Sequence, residues 1–296
     1  MNEFIPYGRQ YIDSDDINAV VSTLQSDFLT QGPVVPRFEN KISELTNSKY
    51  TVVVNSATSA LHLSCLALGV GPSDIVWTSP ITFVASANCA LYCGANVDFV
   101  DIDPLTGLMS IAALELKLEQ AASLGALPKV VIPVHLAGTS CDMHQIYRLS
   151  KIYNFKIIED ASHAIGGFYH SHPVGSCTFS DITVFSFHPV KIITTGEGGA
   201  LTTNNESYFH SACSLRSHGI TKDQASFQYS SPGPWYYEQQ LLGFNYRLPD
   251  INAALGLSQI SRLSTNIQRR QFIFSQYKLL LADLPIHFLD IPFNIL

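Results

Sequence analysis

Lys191 has more chemistry to offer than any other residue of this chain. It stands in SFHPVKIITTGEGGA (186–200), behind a proline and ahead of threonines and of Gly196, Gly198 and Gly199. A loop lysine is ordinarily solvated. One held in a partly dry pocket loses stabilisation of its charge, and its amine becomes a nucleophile. Asp160 ends the apolar run FKIIED (155–160), where a carboxylate either caps the next helix or answers a buried cation. His163 follows three residues on and reads equally as a satisfied polar group or an acid–base partner. Ser56, Ala57, Thr58 and Ser59, in VVVNSATSAL, sit where a strand gives way to a helix. That is an ordinary helix cap, or a cup of free N–H groups and hydroxyls for an anion. Phe83, in ITFVAS, offers a ring face, and Ser186 follows another strand. A lysine for a Schiff base, a carboxylate for a pyridine nitrogen and a cup for a phosphate are together what pyridoxal 5'-phosphate requires.

Such residues need a frame to bring them together. Apolar, β-branched runs near 50–54, 74–79, 96–103, 129–134, 155–160, 181–187 and 199–204 alternate with helix-like segments. This predicts an α/β fold, a mostly parallel sheet sandwiched by helices, with ligands beyond the carboxyl ends of the strands. After about residue 204 the rhythm changes. A helix leads into a long aromatic loop (220–248), then a long helical stretch over 249–281, and PIHFLDIPFNIL (285–296) reads as the start of a further strand.

Composition narrows the function classes. With 46% hydrophobic and 14% charged residues in 296, a large core forms readily. A net charge of -7 without a basic run argues against a nucleic-acid groove. No apolar run is long enough to predict a membrane span, and the N-terminus lacks the features of a signal peptide. The six scattered cysteines read as free thiols of a cytoplasmic protein, and Cys89 and Cys93 alone do not make a metal site.

The segments NSATSALHL, SPITFVASAN, EDASHAIGG, SFHPVKIITTGEGGAL, LRSHGI and FNYRLPDINAALGLSQI resemble the DegT/DnrJ/EryC1/StrS sugar aminotransferases. These are fold-type I pyridoxal-phosphate enzymes, and the resemblance runs from about residue 4 to the C-terminus. IPYGRQYID, FLTQGP, FHPVK and WYYEQQLLGFNYRL are most similar to members that act in pseudaminic acid biosynthesis. The resemblance implies amino transfer from L-glutamate to C4 of a UDP-4-keto-6-deoxy-N-acetylhexosamine. It implies that Lys191 bonds the cofactor and shuttles the proton, that Asp160 pairs with the pyridine nitrogen and that His163 lies near the ring hydroxyl. Phe83 would stack on the ring, and Ala57, Thr58, Ser59 and Ser186 would hold the phosphate. Asn245 would reach the phosphate of a neighbouring subunit in a homodimer with shared sites. Tyr7, Leu29, Thr30 and Gln31 would face the sugar nucleotide. His135, in PVHLAG, is either near the site or structural.

The family's pattern divides the chain into a cofactor-binding domain with an N-terminal arm (1–248) and a connecting helix with an incomplete C-terminal domain (249–296). That expectation leaves two other readings open. One is a catalytically impaired relative that binds the cofactor, the other an aminotransferase for a different nucleotide-linked keto sugar. Outside the family, a nucleotide-binding α/β protein with an unrelated lysine is the competing reading.

Overall fold

The apolar runs become the strands of one sheet. In the computed structural model, which describes residues 4, 6 and 8–292, they are β1 (Tyr50–Val54), β2 (Ile75–Thr78), β3 (Asn96–Phe99), β4 (Val130–Ile132), β5 (Lys156–Asp160), β6 (Ile182–Ser186) and β7 (Gly199–Thr203). The spatial order is β1-β7-β6-β5-β4-β2-β3. Only β7 runs against its neighbours, so the other six strands end at one edge.

The helices are α1 (Ser14–Leu24), α2 (Val34–Thr46), α3 (Ala57–Ala67), α4 (Ala85–Tyr92), α5 (Ile111–Leu124), α6 (Met143–Tyr153), α7 (Glu206–Arg216), α8 (Asp250–Ile260) and α9 (Leu263–Leu280). Successive strand residues point to opposite faces, so a fully apolar strand feeds two cores at once. Val52, Val54, Ile158 and Val184 pack beneath α3, α4 and α7. Val53 and Phe185 pack against α2 and α8, and Val131 and Ile157 against α5 and α6. The sandwich expected from the alternation of strands and helices is present.

Two expectations for the C-terminal part do not hold. The helical stretch over 249–281 is two helices, broken at Ser261 and Arg262. The break lets Arg262 form ion pairs with Asp13 (2.5 Å) and the fully buried Asp16 (2.6 Å) at the start of α1. No strand forms from 285 onward among the described residues. Instead the segment turns back, the Asp290 N–H donates to the Leu105 carbonyl (2.8 Å), and Leu289 packs on Gly107 beside Leu136.

Buried Asp16 is the electrostatic anchor of this corner. Burial opposes its charge, but bonds from Ser258, Arg262, the Asp13 N–H and Gln259 hold its pKa below the ordinary 3.8. A depressed carboxylate contributes stability above its unfolded pKa and loses it as pH falls through the folded one. Arg262→Ala should therefore cost about 2–3 kcal/mol at pH 7 in urea unfolding. That is less than the ~3–5 of a fully buried pair, because Arg262 keeps some solvent contact. The difference from the native chain should shrink as pH falls below Asp16's ordinary range.

Candidate active site

Since the parallel strands end together, the loops after β1, β2, β5 and β6 meet at one edge. Lys191 lies in the β6–β7 loop and is half-buried. Its backbone is gripped from two sides. The Lys191 N–H donates to the His188 carbonyl (2.9 Å), while Arg270 of α9 donates to the Lys191 carbonyl (3.0 Å) and Asn266 to that of Ile192 (3.2 Å). The Lys191 amine itself has no hydrogen bond or ion pair among the described residues. Burial lowers its pKa, and the charge of Asp160 pulls weakly the other way. A groove lined by Arg9, Lys191, Asn266, Arg269 and Arg270 opens beside it.

Asp160 is buried at the end of β5. Its Oδ2 accepts from the Ser86 hydroxyl of α4 (2.6 Å). Its Oδ1 accepts from the Ser162 hydroxyl (2.6 Å) and N–H (3.2 Å). Ser86's proton is committed to Asp160, so the Thr82 hydroxyl, 2.8 Å away, donates to Ser86. Bonds of this length replace the water that burial removes from the carboxylate. His163 follows on the exposed rim of the next turn. Desolvation of its ring and the positive charges of Lys191 and Arg270 lower its pKa against the pull of Asp160.

The turn after β1 forms a cradle. Ser56 caps α3, accepting from the Ser59 N–H (3.1 Å), and Ser59 donates to Asn55 Oδ1 (2.7 Å). Ser59's hydroxyl is thus spent within the turn. The Ala57 and Thr58 N–H groups open the helix and have no partner within it. Ser186 is buried at the end of β6 and pairs in register with Gly199. Gly199 in turn abuts α3, where a Cβ would lie 2.4 Å from the Ala57 nitrogen. Only a glycine lets β7 approach the cradle so closely. Phe83, just ahead of α4, is 73% exposed at the same edge.

Other expected residues take different positions. His135 is structural: it is buried, and its Nε2 pairs with Glu159 at 2.8 Å. Glu159 and Asp160 are consecutive in β5 and so face opposite sides of the sheet, which puts His135 on the side away from Ser86. Asn245 is exposed beside the cradle of its own chain, its carbonyl accepting from Asn55 Nδ2 (3.5 Å). The Leu29–Thr30–Gln31 turn is exposed and tied to α8, because the Asp250 N–H donates to the Leu29 carbonyl (3.0 Å) and the Asp250 carboxylate accepts from Gly32 and Val34 (both 3.1 Å). Two residues along α8, Asn252 donates to the carbonyl of Thr195 in the lysine loop (2.7 Å). The turn and the lysine loop therefore share one anchor. Tyr7 lies outside the described residues. The sequence reading does not single out Thr82, Ser86, Ser162 or Arg270; hydroxyls four positions apart at 82 and 86 were the available signal.

A model of the DegT/DnrJ/EryC1/StrS aminotransferase family matches residues 10–292. The chain is 42% identical over 274 residues to a UDP-4-amino-4,6-dideoxy-N-acetyl-beta-L-altrosamine transaminase of Campylobacter jejuni, covering 92% of this chain and 68% of that one. Among solved structures it is similar to Helicobacter pylori PseC, an aminotransferase involved in the biosynthesis of pseudoaminic acid. That match has a TM-score of 0.84 and 32% identity, over 96% of this chain and 72% of the other. It is also similar to the PLP-form of the putative sugar aminotransferase Spr1654 of Streptococcus pneumoniae, with a TM-score of 0.82 and 32% identity, over 95% and 72%.

The pairing of charges at the edge predicts a reactive lysine. In competitive acylation between pH 7 and 9, Lys191 should label faster than the chain's exposed lysines. Asp160→Asn removes the charge that favours the ammonium form, so it should raise the Lys191 rate further.

Proposed function

The chain belongs to the DegT/DnrJ/EryC1/StrS aminotransferase family and is a sugar aminotransferase, and we propose that it moves an amino group from L-glutamate to C4 of a UDP-4-keto-6-deoxy-N-acetylhexosamine, as in pseudaminic acid biosynthesis, using pyridoxal 5'-phosphate. One observation carries the cofactor assignment. A half-buried lysine amine with no partner among the described residues feels the charge of a buried, hydrogen-bonded carboxylate, and a cradle of helix-opening N–H groups ends a strand of the same sheet edge. These residues fit the cofactor's aldehyde, pyridine nitrogen and phosphate. The sugar assignment rests on the similarity to the Campylobacter and Helicobacter proteins.

When bound, pyridoxal phosphate supplies an electron sink for a carbon that loses a proton. Lys191 would hold it covalently, and the lysine amine, its pKa lowered by desolvation, would carry the proton that amino transfer requires. Asp160 would pair with the pyridine nitrogen, and His163 would lie by the ring hydroxyl. Ala57, Thr58 and Ser186 receive the phosphate, with Ser59 holding the turn in shape. Phe83 covers a ring face and excludes water. Tyr7 and Leu29–Gln31 take the sugar nucleotide, and the arginine-lined groove suits its diphosphate and the donor carboxylates. Asn245 reaches the phosphate of a second copy in a homodimer. Residues 1–248 would form the cofactor-binding domain with its N-terminal arm, and the enzyme would work in the cytoplasm.

Purified protein supplied with the cofactor should absorb at about 410–430 nm, and L-glutamate should bleach that band. Lys191→Ala should lack the band and lose turnover of the UDP-keto sugar by at least roughly 10²–10⁴-fold, the scale of one acid–base group. An unchanged spectrum and rate in Lys191→Ala overturns the cofactor assignment. Turnover of other nucleotide-linked keto sugars but not of this one overturns only the substrate.

A further inference from the structure

One residue before Asp160, on the opposite face of β5, lies a buried carboxylate that none of the chemistry above uses. Both oxygens of Glu159 are answered. Its Oε1 accepts from the Thr183 hydroxyl of β6 (2.9 Å) and from the Ser180 hydroxyl just ahead of that strand. Its Oε2 accepts from His135 Nε2 (2.8 Å). His135 is engaged as fully, because its Nδ1 accepts from the Cys141 N–H (3.3 Å). The His135 backbone N–H donates to the Asp160 carbonyl (3.0 Å), and the Asp160 N–H donates to the Pro133 carbonyl (2.9 Å). The exit of β4 is therefore stapled to the end of β5 twice, through backbone at Asp160 and through side chains at Glu159.

We propose that Glu159 and His135 are positioning residues for the candidate active site, a buried tie across β4, β5 and β6 that fixes where Asp160 stands relative to the lysine loop. Both act from the face away from Ser86. Glu159 pairs in register with Thr183, and Asp160 with Val184. The Ala161 N–H donates to the Val184 carbonyl (2.9 Å). Two residues further on, Ser186 ends β6 and the lysine loop begins. One carboxylate thus sets the strand end that carries Asp160 against the β4 exit and against the strand that delivers Ser186 and Lys191. The bonds from Ser86 and Ser162 orient the Asp160 carboxylate, whereas the tie at Glu159 holds the strand beneath it. Burial opposes the charge of Glu159, but bonds from His135, Ser180 and Thr183 hold its pKa below the ordinary 4.5.

A buried carboxylate keeps its place only while its donors are present. Glu159→Gln keeps the size but replaces one acceptor oxygen with an amide nitrogen, which then faces a donor. His135→Ala removes the donor to Oε2 outright. In either variant backbone bonds alone hold the β4 exit, and the end of β5 gains freedom to move Asp160 relative to Lys191. A carboxylate held less firmly favours the ammonium form of Lys191 less. The lysine should then react faster, in the same direction as in Asp160→Asn. The inference rests on the reading of Asp160 and Lys191 as the working pair, and not on the identity of the sugar.

The test is competitive acylation of the full chain, with the Lys191 rate divided by that of the exposed Lys222. Glu159→Gln should raise this ratio most of the way to its value in Asp160→Asn, and the double variant should label no faster than Asp160→Asn alone. His135→Ala should raise the ratio too, and His135→Gln, whose amide N–H can stand in for that of Nε2, should restore it. A merely structural role would speed both lysines together or leave the ratio as it was. The proposal is overturned if Asp160→Asn raises the ratio and Glu159→Gln does not, or if the two effects multiply in the double variant. If Asp160→Asn itself leaves the ratio unchanged, the reading of the site fails, and the proposal with it. Circular dichroism checks folding. Should the variants at 159 and 135 unfold, Ser180→Ala removes one donor to the same carboxylate from a half-buried position, and an unchanged ratio there overturns the proposal.

Discussion

A carboxylate buried at the centre of a sheet must be answered by donors, and the candidate site is organised around how Asp160 is answered. A charge in an apolar interior is tolerated only when hydrogen bonds replace the lost water. Here Ser86 reaches it from α4 and Ser162 from its own turn. Satisfying Asp160 therefore fixes where α4 begins relative to β5. That placement sets Phe83 and Thr82 at the sheet edge, within reach of a carboxylate whose charge Lys191 feels.

The lysine loop is held by a second set of constraints, which come from the far end of the chain. Arg270 and Asn266 of α9 bond its carbonyls, and Asn252 of α8 bonds Thr195. Helices α8 and α9 are themselves fixed to α1 by Asp16 and Arg262. The break at Ser261–Arg262 is what lets one helix pack on α1 and α2 while the next supports the loop. Backbone bonds hold the loop while the amine has no partner among the described residues, a combination suited to a side chain that must bond something else.

The reversed strand β7 contributes a constraint of a different kind. It lies between β1 and β6, so the cradle after β1 and Ser186 after β6 meet across Gly199. An ordinary side chain there would collide with the first turn of α3. Behind this junction, the thiols of α3 and α4 pack where both helices face the sheet.

The sequence alone determined the elements and most of the site. Uninterrupted apolar runs between helical periods dictate a sheet covered on both faces, and polar residues directly after such runs must gather at one edge. Lys191, Asp160 and the 56–59 turn were legible for that reason. What only the tertiary structure decided depends on partners distant in the chain. Periodicity gives no sign of the break between α8 and α9, because it comes from Arg262 reaching across some 246 positions to Asp16. The apolar residues after 285 suggested a strand, but they pack against the loop at 105–107. His135 could be assigned a structural role only once strand alternation had put its partner Glu159 on the face opposite Asp160. The meeting of Cys65 with Cys89 was likewise invisible, since sequence spacing fixes neighbours within a helix and only packing fixes neighbours between helices.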